Sequence, residues 1–549
     1  MGNFAGDLDV SVTQASGVQL EKSLNIVQRS MNVALGTRLL SFKGIVTPGI
    51  DYKSRTLLPL VLVTIAQAAA FLWHNELLLA PLVANVNLYI SYFNLYRFDG
   101  LFVYFETRTA VMLLLLLGTL VVAWVLSSRS PPMYLVDYAC FKPSEECKMT
   151  SERFLELAEK SKYFTETSLD FQRKILTSSG LGPETYIPLS MHQEPTDFTL
   201  PTSMKEAETA LFSAVAELLK KTGVKTSEIG ILVVNCSTFC PIPSLSAMVV
   251  NHFGLREDIE TYNLGGMGCS AGVLAINLAQ DLLKVHKNTY AIALSTEMIS
   301  GRQVYTGNDR SMMVGNCIFR WGASAILLSN KHKDRGRAKY SLLHVVRTHQ
   351  GANPRSFECV KTFLDAAGFE GVSLSKTLMA AAGDALKSNI TTLAPKILPI
   401  SEKLKYATNL MSRKLLKAHK PYTPNFQSSI DHFCIHPGGK AVLDGIEKNL
   451  RLSSHHMEPS RMSLHRFGNQ SSSSIWYVLA YMEAKHRVRR GDLVWQIALG
   501  SGIKCNSAVW KSLRSDHIDE SRCENPWLDC VDRYPVHLHG SAPTPALKP

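Results

Sequence analysis

One cysteine in the sequence has the surroundings of a reactive thiol. Cys269 lies in the segment GGMGCSAG, in which Gly265, Gly266 and Gly268 allow a tight turn. No charged residue follows it until Asp281, which predicts that Cys269 opens a buried helix. There the helix dipole and unpaired backbone N–H groups favour the thiolate, the form that attacks carbonyl carbons. Cys269 is therefore a candidate nucleophile, and a buried cysteine that only packs against glycines is the alternative.

Two other motifs place polar side chains at the starts of predicted helices. His436 ends the strand pattern HFCIH, and His432 lies four residues earlier on the same face of that strand. Asn469 lies in RFGNQSSSS, with His465 four residues before it. The alternative for Asn469 is a helix N-cap, and that for the histidines is a zinc cluster, although no acidic residue or other well-spaced ligand accompanies them. The order Cys, His, Asn also occurs in papain-like proteases, but the surroundings of that family's cysteine are not matched.

Together these side chains suit carbon–carbon bond formation between two thioesters. A cysteine thiolate accepts an acyl group, and a neutral imidazole and a carboxamide stabilise the enolate that forms when a second thioester loses carbon dioxide. This decarboxylation needs no general base, which agrees with the lack of a carboxylate in the three motifs. The turn Gly500, Ser501 and Gly502 is a candidate source of backbone N–H groups near the acyl carbonyl.

The region that carries these motifs has an α/β pattern. From about Pro132 to Leu513, short apolar runs alternate with helical patterns, which predicts buried, largely parallel strands. The predicted strands are Ile229–Asn235, Tyr290–Ser295, Ala323–Leu328, Leu342–Arg347, His432–His436 and Leu493–Leu499, and the predicted helices are Lys205–Lys221, Leu374–Ser388 and Ser474–Lys485.

The two halves of this region resemble each other. The first half has the strand pattern LVVNC, then a helix, the Cys269 turn and the strand pattern AIALSTE. The second half has the same order, with HFCIH, a helix, the Asn469 turn and VWQIALGSG. Cys236 precedes Cys269 by 33 residues, and His436 precedes Asn469 by 33 residues as well. The repeat predicts a duplicated domain whose pseudo-twofold axis brings both turns toward one central site.

Two long uncharged segments precede this region. Residues 56–75 and 109–128 each contain 20 residues, about enough for a helix to cross a bilayer. For the first, an anchor lying at the interface is the alternative, and Leu77–Tyr96 is predicted to be re-entrant or interfacial. With two spans, the N-terminus and the C-terminal domain share one side of the membrane, which the flanking Lys and Arg residues assign to the cytosol.

Composition narrows the class of partner. With 549 residues and 46% hydrophobic residues, the chain is predicted to fold into more than one unit. The net charge of +12 fits anionic lipid or a phosphorylated ligand such as CoA, and without a nucleic-acid-binding motif no nucleic acid partner is predicted. Eleven cysteines without a CxxC pair indicate structural thiols in a reducing compartment. Metal sites at the pairs 140/147, 236/240 and 523/530 are the alternative, and no metal is predicted.

Long motifs in fixed order point to a family. NLGGMGCSAG, GNDRSMM, NCIFRWGASAILLSN, HFCIHPGGKAVL, HRFGNQSSSSIWY and GSGIKCNSAVW resemble the plant 3-ketoacyl-CoA synthases of the elongase type. The likeness runs from about Tyr134 to Tyr534. The segment SFECVKTFLDAAGFEGVSLSK departs from the family, which usually has an acidic, glutamine-rich stretch there, and MVGNCIFRWGASA departs in a few residues. These departures bear on substrate range and partner contacts.

The resemblance implies an acyltransferase with a thiolase-like fold, made of two similar βα halves layered α-β-α-β-α behind a transmembrane helical hairpin. It divides the chain into a cytosolic segment (1–55), a membrane anchor (56–128), a half with the nucleophile (129–330), a half with His436 and Asn469 (331–515) and a tail (516–549). The implied substrates are malonyl-CoA and a long-chain acyl-CoA, with no further cofactor.

The resemblance also implies residue roles. The family's nucleophile falls on Cys269, and its catalytic histidine and asparagine fall on His436 and Asn469. Its other histidines of the active region fall on His349, in RTHQGA, and on His432 and His465.

The implied setting is the endoplasmic reticulum membrane, in a multi-pass arrangement with the catalytic domain facing the cytosol. The implied partners are a second copy or a related synthase, a ketoacyl-CoA reductase, a hydroxyacyl-CoA dehydratase and an enoyl-CoA reductase. Two alternatives are a soluble thiolase-fold enzyme that makes polyketides or hydroxymethylglutaryl-CoA, and a catalytically idle membrane scaffold. The hydrophobic hairpin and the long motif match count against the first, and intact Cys269, His436 and Asn469 count against the second.

Overall fold

The computed structural model describes residues 113, 116–121, 132–416, 422–515 and 525–537. The chain divides into two compact units, residues 1–125 and 126–549. The predicted segment 1–55, the span 56–75 and most of the span 109–128 lie outside the described residues. Among the residues that are described, no helix combines the length and the apolar character needed to cross a bilayer. The two-span anchor therefore stays a prediction.

The second unit contains the α/β elements. In chain order its strands are β1 (Tyr134–Cys140), β2 (Lys148–Met149), β3 (Thr185–Tyr186), β4 (Ile229–Asn235), β5 (Glu260–Leu264), β6 (Tyr290–Thr296), β7 (Ala323–Ser329), β8 (Tyr340–His349), β9 (Val360–Leu364), β10 (Glu370–Leu374), β11 (His432–Ile435), β12 (Leu493–Gly500) and β13 (Lys504–Ser512). Its α-helices are α1 (Ser151–Lys160), α2 (Glu166–Ser178), α3 (Leu200–Thr222), α4 (Leu245–Phe253), α5 (Ala271–Val285), α6 (Arg310–Ile318), α7 (Pro354–Phe357), α8 (Leu378–Ile397), α9 (Ile400–Leu416), α10 (Lys440–Leu450), α11 (Ser454–Phe467) and α12 (Ser474–Ala484).

The main sheet repeats one pattern of strand pairing. Its nine strands follow the order β11-β12-β13-β8-β1-β7-β6-β4-β5. In the first half, β4 pairs with β6 in parallel, and the pairs β6–β7 and β7–β1 are antiparallel. In the second half, β11, β12, β13 and β8 pair in the same succession and the same senses. The halves meet where β1 and β8 pair antiparallel, so the strand order repeats as the internal similarity predicts.

The prediction of largely parallel strands is wrong. Within the described residues of this sheet, the pairs β4–β5, β4–β6 and β11–β12 are parallel, and the remaining pairs are antiparallel. The antiparallel strands β6 and β7 are buried along their whole length. Their continuous apolar runs arise because helices cover both faces of the sheet, and such runs carry no information on strand direction.

The layers place two helices at the centre. Helix α5 contacts β4 and β6 of the first half and β12 and β13 of the second. Helix α12 is buried at every residue and contacts β1, β11 and β12. On the outside, α3 packs on β1, β6 and β7, and α8 packs on β8 and β13. Helices thus lie both between the two halves of the strand order and outside them, in agreement with the α/β fold that the resemblance implies.

The first turn of α5 lies against the backbone of the turn that leads into α12. A Cβ atom on Gly272, in the first turn of α5, would lie 2.5 Å from the carbonyl oxygen of Ser472. Small residues at the helix start therefore allow the two halves to approach closely. The first turns of α5 and of the chain leading into α12 meet here, which positions the residues just before each helix.

A buried ion cluster joins the halves at their junction. The Lys339 Nζ lies 3.0 Å from Asp137 Oδ1 on β1 and 3.0 Å from Glu483 Oε2 on α12. The Tyr340 hydroxyl donates to the other Glu483 oxygen at 2.7 Å. Burial opposes the charge on Lys339, but the two carboxylates outweigh it and hold the pKa of Lys339 above its usual value.

Candidate active site

Cys269 lies in the loop between β5 and α5. The helix begins at Ala271, so the cysteine stands just before the first turn. Gly268 has a φ of +73°, and a Cβ atom there would collide with the backbone nitrogen and the side chain of Ser501. Only glycine meets both requirements, the left-handed backbone and the close approach.

The predicted glycine-rich turn forms one wall of this loop. A Cβ atom on Gly500 would lie 2.5 Å from the Ser270 hydroxyl, and Ser501 touches Gly268. Gly268 and Ser270 flank the nucleophile in the chain. The structure therefore brings the turn 500–502 next to Cys269.

The ionisation of Cys269 differs from the sequence prediction. The residue is partly exposed, yet the protein packed around its thiol removes water and raises the pKa of Cys269 to about 11. A hydrogen bond with Ser471 lowers the pKa, and the charge of Glu297 raises it further. Desolvation outweighs the helix end, so the thiol is protonated at neutral pH and needs a proton acceptor before it attacks.

His436 directly follows β11 and is a buried imidazole. Its backbone N–H donates to Ile497 at 2.9 Å, which fixes the residue to the end of the sheet. The side chain is 3% exposed, and neither ring nitrogen has a hydrogen-bond partner within the described residues. Burial lowers the pKa of His436 to about 4, so the ring is neutral at physiological pH. A buried polar group without a partner is unfavourable by about 1–3 kcal/mol, which a hydrogen bond to a ligand would offset.

Asn469 is buried between the two halves and bonded at both ends of its amide. Its nitrogen donates to the Gly438 carbonyl at 3.2 Å, and its oxygen accepts from the Ser471 N–H at 2.8 Å. The oxygen thus holds the turn that leads into α12, but the N-cap residues there are Gln470 and Ser473, so the N-cap alternative for Asn469 is wrong. The nitrogen faces the loop that follows His436.

Short contacts connect the three predicted side chains. Ser471 forms a hydrogen bond with the Cys269 thiol and donates its N–H to Asn469. Asn469 bonds to Gly438, and a Cβ atom on Gly438 would lie 3.2 Å from the ring of His436. The structure therefore brings Cys269, His436 and Asn469 into one site.

Glu297 is a residue of this site that the sequence analysis did not single out. It follows β6, is buried, and accepts hydrogen bonds from the Thr238 hydroxyl at 2.7 Å and the Ser471 hydroxyl at 2.9 Å. It also accepts from the backbone N–H of Ser237 at 3.0 Å. The carboxylate thus ties the loop after β4 to the turn that holds Asn469. A charged residue directly after an uncharged strand pattern, in AIALSTE, was the available signal.

His349 lies at the rim of the site. It ends β8, is exposed, and its Nε2 would lie 3.5 Å from a Cβ atom on Gly502. Desolvation and the neighbouring Lys504 lower the pKa of His349. It therefore borders the turn 500–502.

The structure does not bring the other two predicted histidines to Cys269. The His432 Nε2 lies 2.9 Å from the Asp492 carboxylate at the opposite end of β11. Four residues along a strand span about 13 Å, so sharing a face with His436 does not make the two rings neighbours. His465, on α11, contacts the hydroxyl of Tyr534 at 3.3 Å and packs against Gly182.

The described parts of the chain contain no cluster of metal-binding side chains that would support the alternative of a metal site. There, no three His, Cys, Asp or Glu side chains lie close enough to hold a metal ion. The described cysteines of the predicted pairs are free thiols, and Cys523 lies outside the described residues.

Comparison with known proteins places the chain among condensing enzymes. A family model described as "FAE1/Type III polyketide synthase-like protein" matches residues 125–415, and one described as "Chalcone and stilbene synthases, C-terminal domain" matches residues 412–514. Among curated proteins, 3-ketoacyl-CoA synthase 4 of Arabidopsis thaliana is 55% identical over 75% of this chain and 79% of its own length. The 3-ketoacyl-CoA synthase 11 of the same plant is 51% identical over 84% of this chain and 91% of its own length.

Solved structures share the fold at lower identity. The PKS-I structure of the brown alga Ectocarpus siliculosus covers 70% of this chain and 100% of its own, with a TM-score of 0.54 and 17% identity. A fungal type III polyketide synthase, ORAS, covers 69% of this chain and 99% of its own, with a TM-score of 0.53 and 20% identity. At this identity the likeness establishes the fold alone.

Proposed function

The chain belongs to the 3-ketoacyl-CoA synthase family, and we propose that Cys269, His436 and Asn469 carry out its reaction. As a member, it is an acyltransferase, the condensing enzyme of fatty acid elongation. The observation that supports the residue assignment is the buried, neutral imidazole of His436, whose ring nitrogens have no partner in the described residues, in the site that contains the Cys269 thiol.

The first half-reaction loads the acyl group. A nitrogen of His436 accepts the proton of the Cys269 thiol, and the thiolate attacks the carbonyl carbon of the acyl-CoA. The new S–C bond forms as the S–C bond to CoA breaks, and the leaving CoA thiolate takes the proton from the imidazolium. A proton acceptor is needed because the Cys269 pKa is raised to about 11, and the lowered pKa of His436 makes the thiolate–imidazolium pair a minor species that the attack on the acyl-CoA draws off. Backbone N–H groups of the turn 500–502 are proposed to stabilise the oxyanion.

The second half-reaction makes the carbon–carbon bond. Malonyl-CoA loses its carboxylate as carbon dioxide, and the electron pair of the broken bond forms an enolate on the remaining thioester. The neutral His436 ring and the Asn469 amide nitrogen donate hydrogen bonds to the enolate oxygen. The enolate carbon attacks the acyl-cysteine, the S–C bond breaks, and the Cys269 thiolate takes up a proton from solvent, the one proton that the overall reaction consumes. The products are a 3-ketoacyl-CoA two carbons longer than the acyl group, carbon dioxide and free CoA.

Glu297 is proposed as a positioning residue, because it touches Ser471 and no reacting atom. Its carboxylate accepts from the hydroxyls of Thr238 and Ser471, and Ser471 in turn bonds both Cys269 and Asn469. A fixed Ser471 keeps the nucleophile and the amide at constant separation.

The cellular setting is also proposed. The uncharged segments 56–75 and 109–128 support a two-span anchor in the endoplasmic reticulum membrane, with the catalytic unit in the cytosol. Family membership supports a dimer with a second copy or a related synthase, and a ketoacyl-CoA reductase, a hydroxyacyl-CoA dehydratase and an enoyl-CoA reductase as successive partners. No nucleic acid and no further cofactor enter this proposal.

The test uses microsomes that contain the full chain, radiolabelled malonyl-CoA and a panel of acyl-CoAs. We expect labelled 3-ketoacyl-CoA with the wild type and none with Cys269→Ala. The matched control is Cys359→Ala, because Cys359 is a buried free thiol that packs in the second half away from the site. Condensation that survives Cys269→Ala would exclude the proposed nucleophile, and a wild type without condensation would favour the idle scaffold.

A further inference from the structure

Helix α9 turns its polar side toward the protein. Glu402 is buried and accepts hydrogen bonds from the Tyr422 hydroxyl at 2.7 Å and the Asn425 N–H at 2.9 Å. Seven residues further on, Asn409 accepts from the Tyr422 N–H at 3.0 Å. Residues seven apart share one face of a helix, so this face holds α9 on the protein through polar contacts.

The opposite face of α9 is apolar and exposed. Ile400 is 74% exposed, Leu404 is 60% exposed and Met411 is 64% exposed. Their spacing of four and seven residues puts them on one stripe, about half a turn from Glu402 and Asn409. Helices on soluble domains usually bury such a stripe against the core, so α9 has the reverse orientation.

The charges that border the stripe are positive. Lys403 and Lys414 are exposed next to the stripe, on the same side of it, whereas the exposed Arg413 lies nearer the face that carries Glu402. Its acidic residue, Glu402, is buried and contacts Lys405 at 2.8 Å. The exposed surface of α9 is therefore apolar in the middle and cationic along one margin.

We propose that this face of α9 lies in the interfacial region of an anionic phospholipid bilayer. Apolar side chains of a surface helix enter the boundary between headgroups and acyl chains, while lysine and arginine contact the phosphates. A second copy of the helix fits the stripe less well, because a twofold pairing would bring the lysines of both copies together. The proposal rests on the membrane location proposed above, in which the segments 56–75 and 109–128 keep the catalytic unit beside a bilayer.

The test places a benzoyl-phenylalanine photo-crosslinker at position 404 of the full chain in phosphatidylcholine nanodiscs, with and without phosphatidylinositol. Leu200 provides the matched control, because it is 61% exposed but lies near the acidic Asp197. We expect phospholipid adducts at position 404 and not at position 200. Replacing Lys403 and Lys414 by Glu should lower the adduct yield in anionic nanodiscs by about fivefold or more, the factor that one basic residue contributes near an anionic surface.

The outcomes separate this proposal from the proposed function, because condensation is measured in the same nanodiscs. Equal lipid adducts at positions 404 and 200, or adducts that join two protein chains, would overturn the membrane contact even if condensation is intact. Lipid adducts at position 404 in a preparation without condensation would support the contact and contradict the catalytic assignment. The same crosslinker at Met411 gives a second variant if the first does not fold.

Discussion

The two halves of the fold share one strand order but present different groups at their equivalent helix starts. In the first half, Cys269 lies partly exposed in a loop that follows the short strand β5. In the second half, Asn469 is buried, follows helix α11, and has both ends of its amide bonded. The strand β5 has no counterpart among the described residues of the second half, where α11 occupies the equivalent stretch.

This difference teaches how a repeated frame becomes an enzyme. Duplication delivers two helix starts to one centre, and each start then specialises. In the proposed reaction, one side offers a group that forms and breaks a covalent bond, so an acyl group has to reach it. The other side offers fixed neutral dipoles, which act best when buried and held by hydrogen bonds.

The largest expected effect is the loss of condensation without the loss of decarboxylation, two activities that we assign to different halves. Cys269→Ala should lower condensation by at least about 10⁴-fold, because no acyl-enzyme forms. Decarboxylation of malonyl-CoA should persist, since we propose that it depends on His436 and Asn469 in the other half. Release of labelled carbon dioxide and formation of labelled ketoacyl product, measured in parallel, report the two activities. Loss of both together would show that the halves do not divide the work.

The next effect concerns the junction. Lys339→Met leaves the carboxylates of Asp137 and Glu483 buried without their cation, and we expect a loss of about 3–5 kcal/mol in the free energy of unfolding. Calorimetry of the wild type and the variant in detergent checks the loss and shows whether the halves still unfold together. Lys361→Met is the control, because Lys361 pairs with Glu358 on the surface and should contribute less than about 1 kcal/mol. Equal losses in both variants would contradict a special role of the junction.

The third prediction concerns the charge of His436, in the second half. Burial lowers the pKa of His436 to about 4, below the value of about 6.5 for an exposed histidine. The unfolded chain binds this proton between these pH values and the folded chain does not. The contribution of the neutral His436 to the free energy of unfolding is therefore fully present above pH ~6.5. It decreases by about 3 kcal/mol as the pH drops to 4.

Denaturant unfolding of the wild type and of His436→Gln at several pH values measures this contribution. The variant should lose the slope that His436 provides, whereas His332→Gln, which replaces an exposed histidine, should retain it. A variant curve parallel to that of the wild type would mean that His436 is already charged in the folded protein.

The smallest effect links the halves through Glu297. Its negative charge raises the pKa of Cys269, so Glu297→Gln should shift the alkylation of Cys269 by iodoacetamide to lower pH. Condensation should fall about tenfold, because one hydrogen bond to Ser471 weakens by about 1.4 kcal/mol. Glu206→Gln is the matched control, since Glu206 is buried but bonds to Ile299. If the pH profile of alkylation is unchanged in Glu297→Gln, Glu297 does not affect the ionisation of Cys269 and its role is only structural.

Much of the fold and the centre of the site follow from the sequence. The predicted strand Ile229–Asn235 has the observed bounds, because an apolar run between charged and turn residues marks a buried strand. The glycines around Cys269 predicted a close backbone approach, which the structure shows at Ser501. The equal 33-residue spacings predicted the repeat of the strand order. Each of these features can be read from the order and spacing of residues along the chain.

Other properties depend on contacts between distant residues. The direction of the strands is not encoded in their burial, so the mixed sheet was missed. His432 and His436 share a strand face, but the length of a strand separates their rings. The protonation of Cys269 depends on how much water the folded protein removes, and Glu297 joins the site through a partner, Ser471, from the other half. None of these can be read from neighbours in the chain.

The contact between Gly268 and Ser501 has a consequence for the time at which the enzyme becomes active during its synthesis. The ribosome makes the nucleophile loop long before the turn that supports it. A nascent or prematurely terminated chain that stops before Ser501 contains the thiol but not the wall of its loop, and one that stops before His436 also has no proton acceptor. If Cys269 and His436 act as proposed, a nascent chain can therefore take up acyl groups only after it has been translated past Ser501.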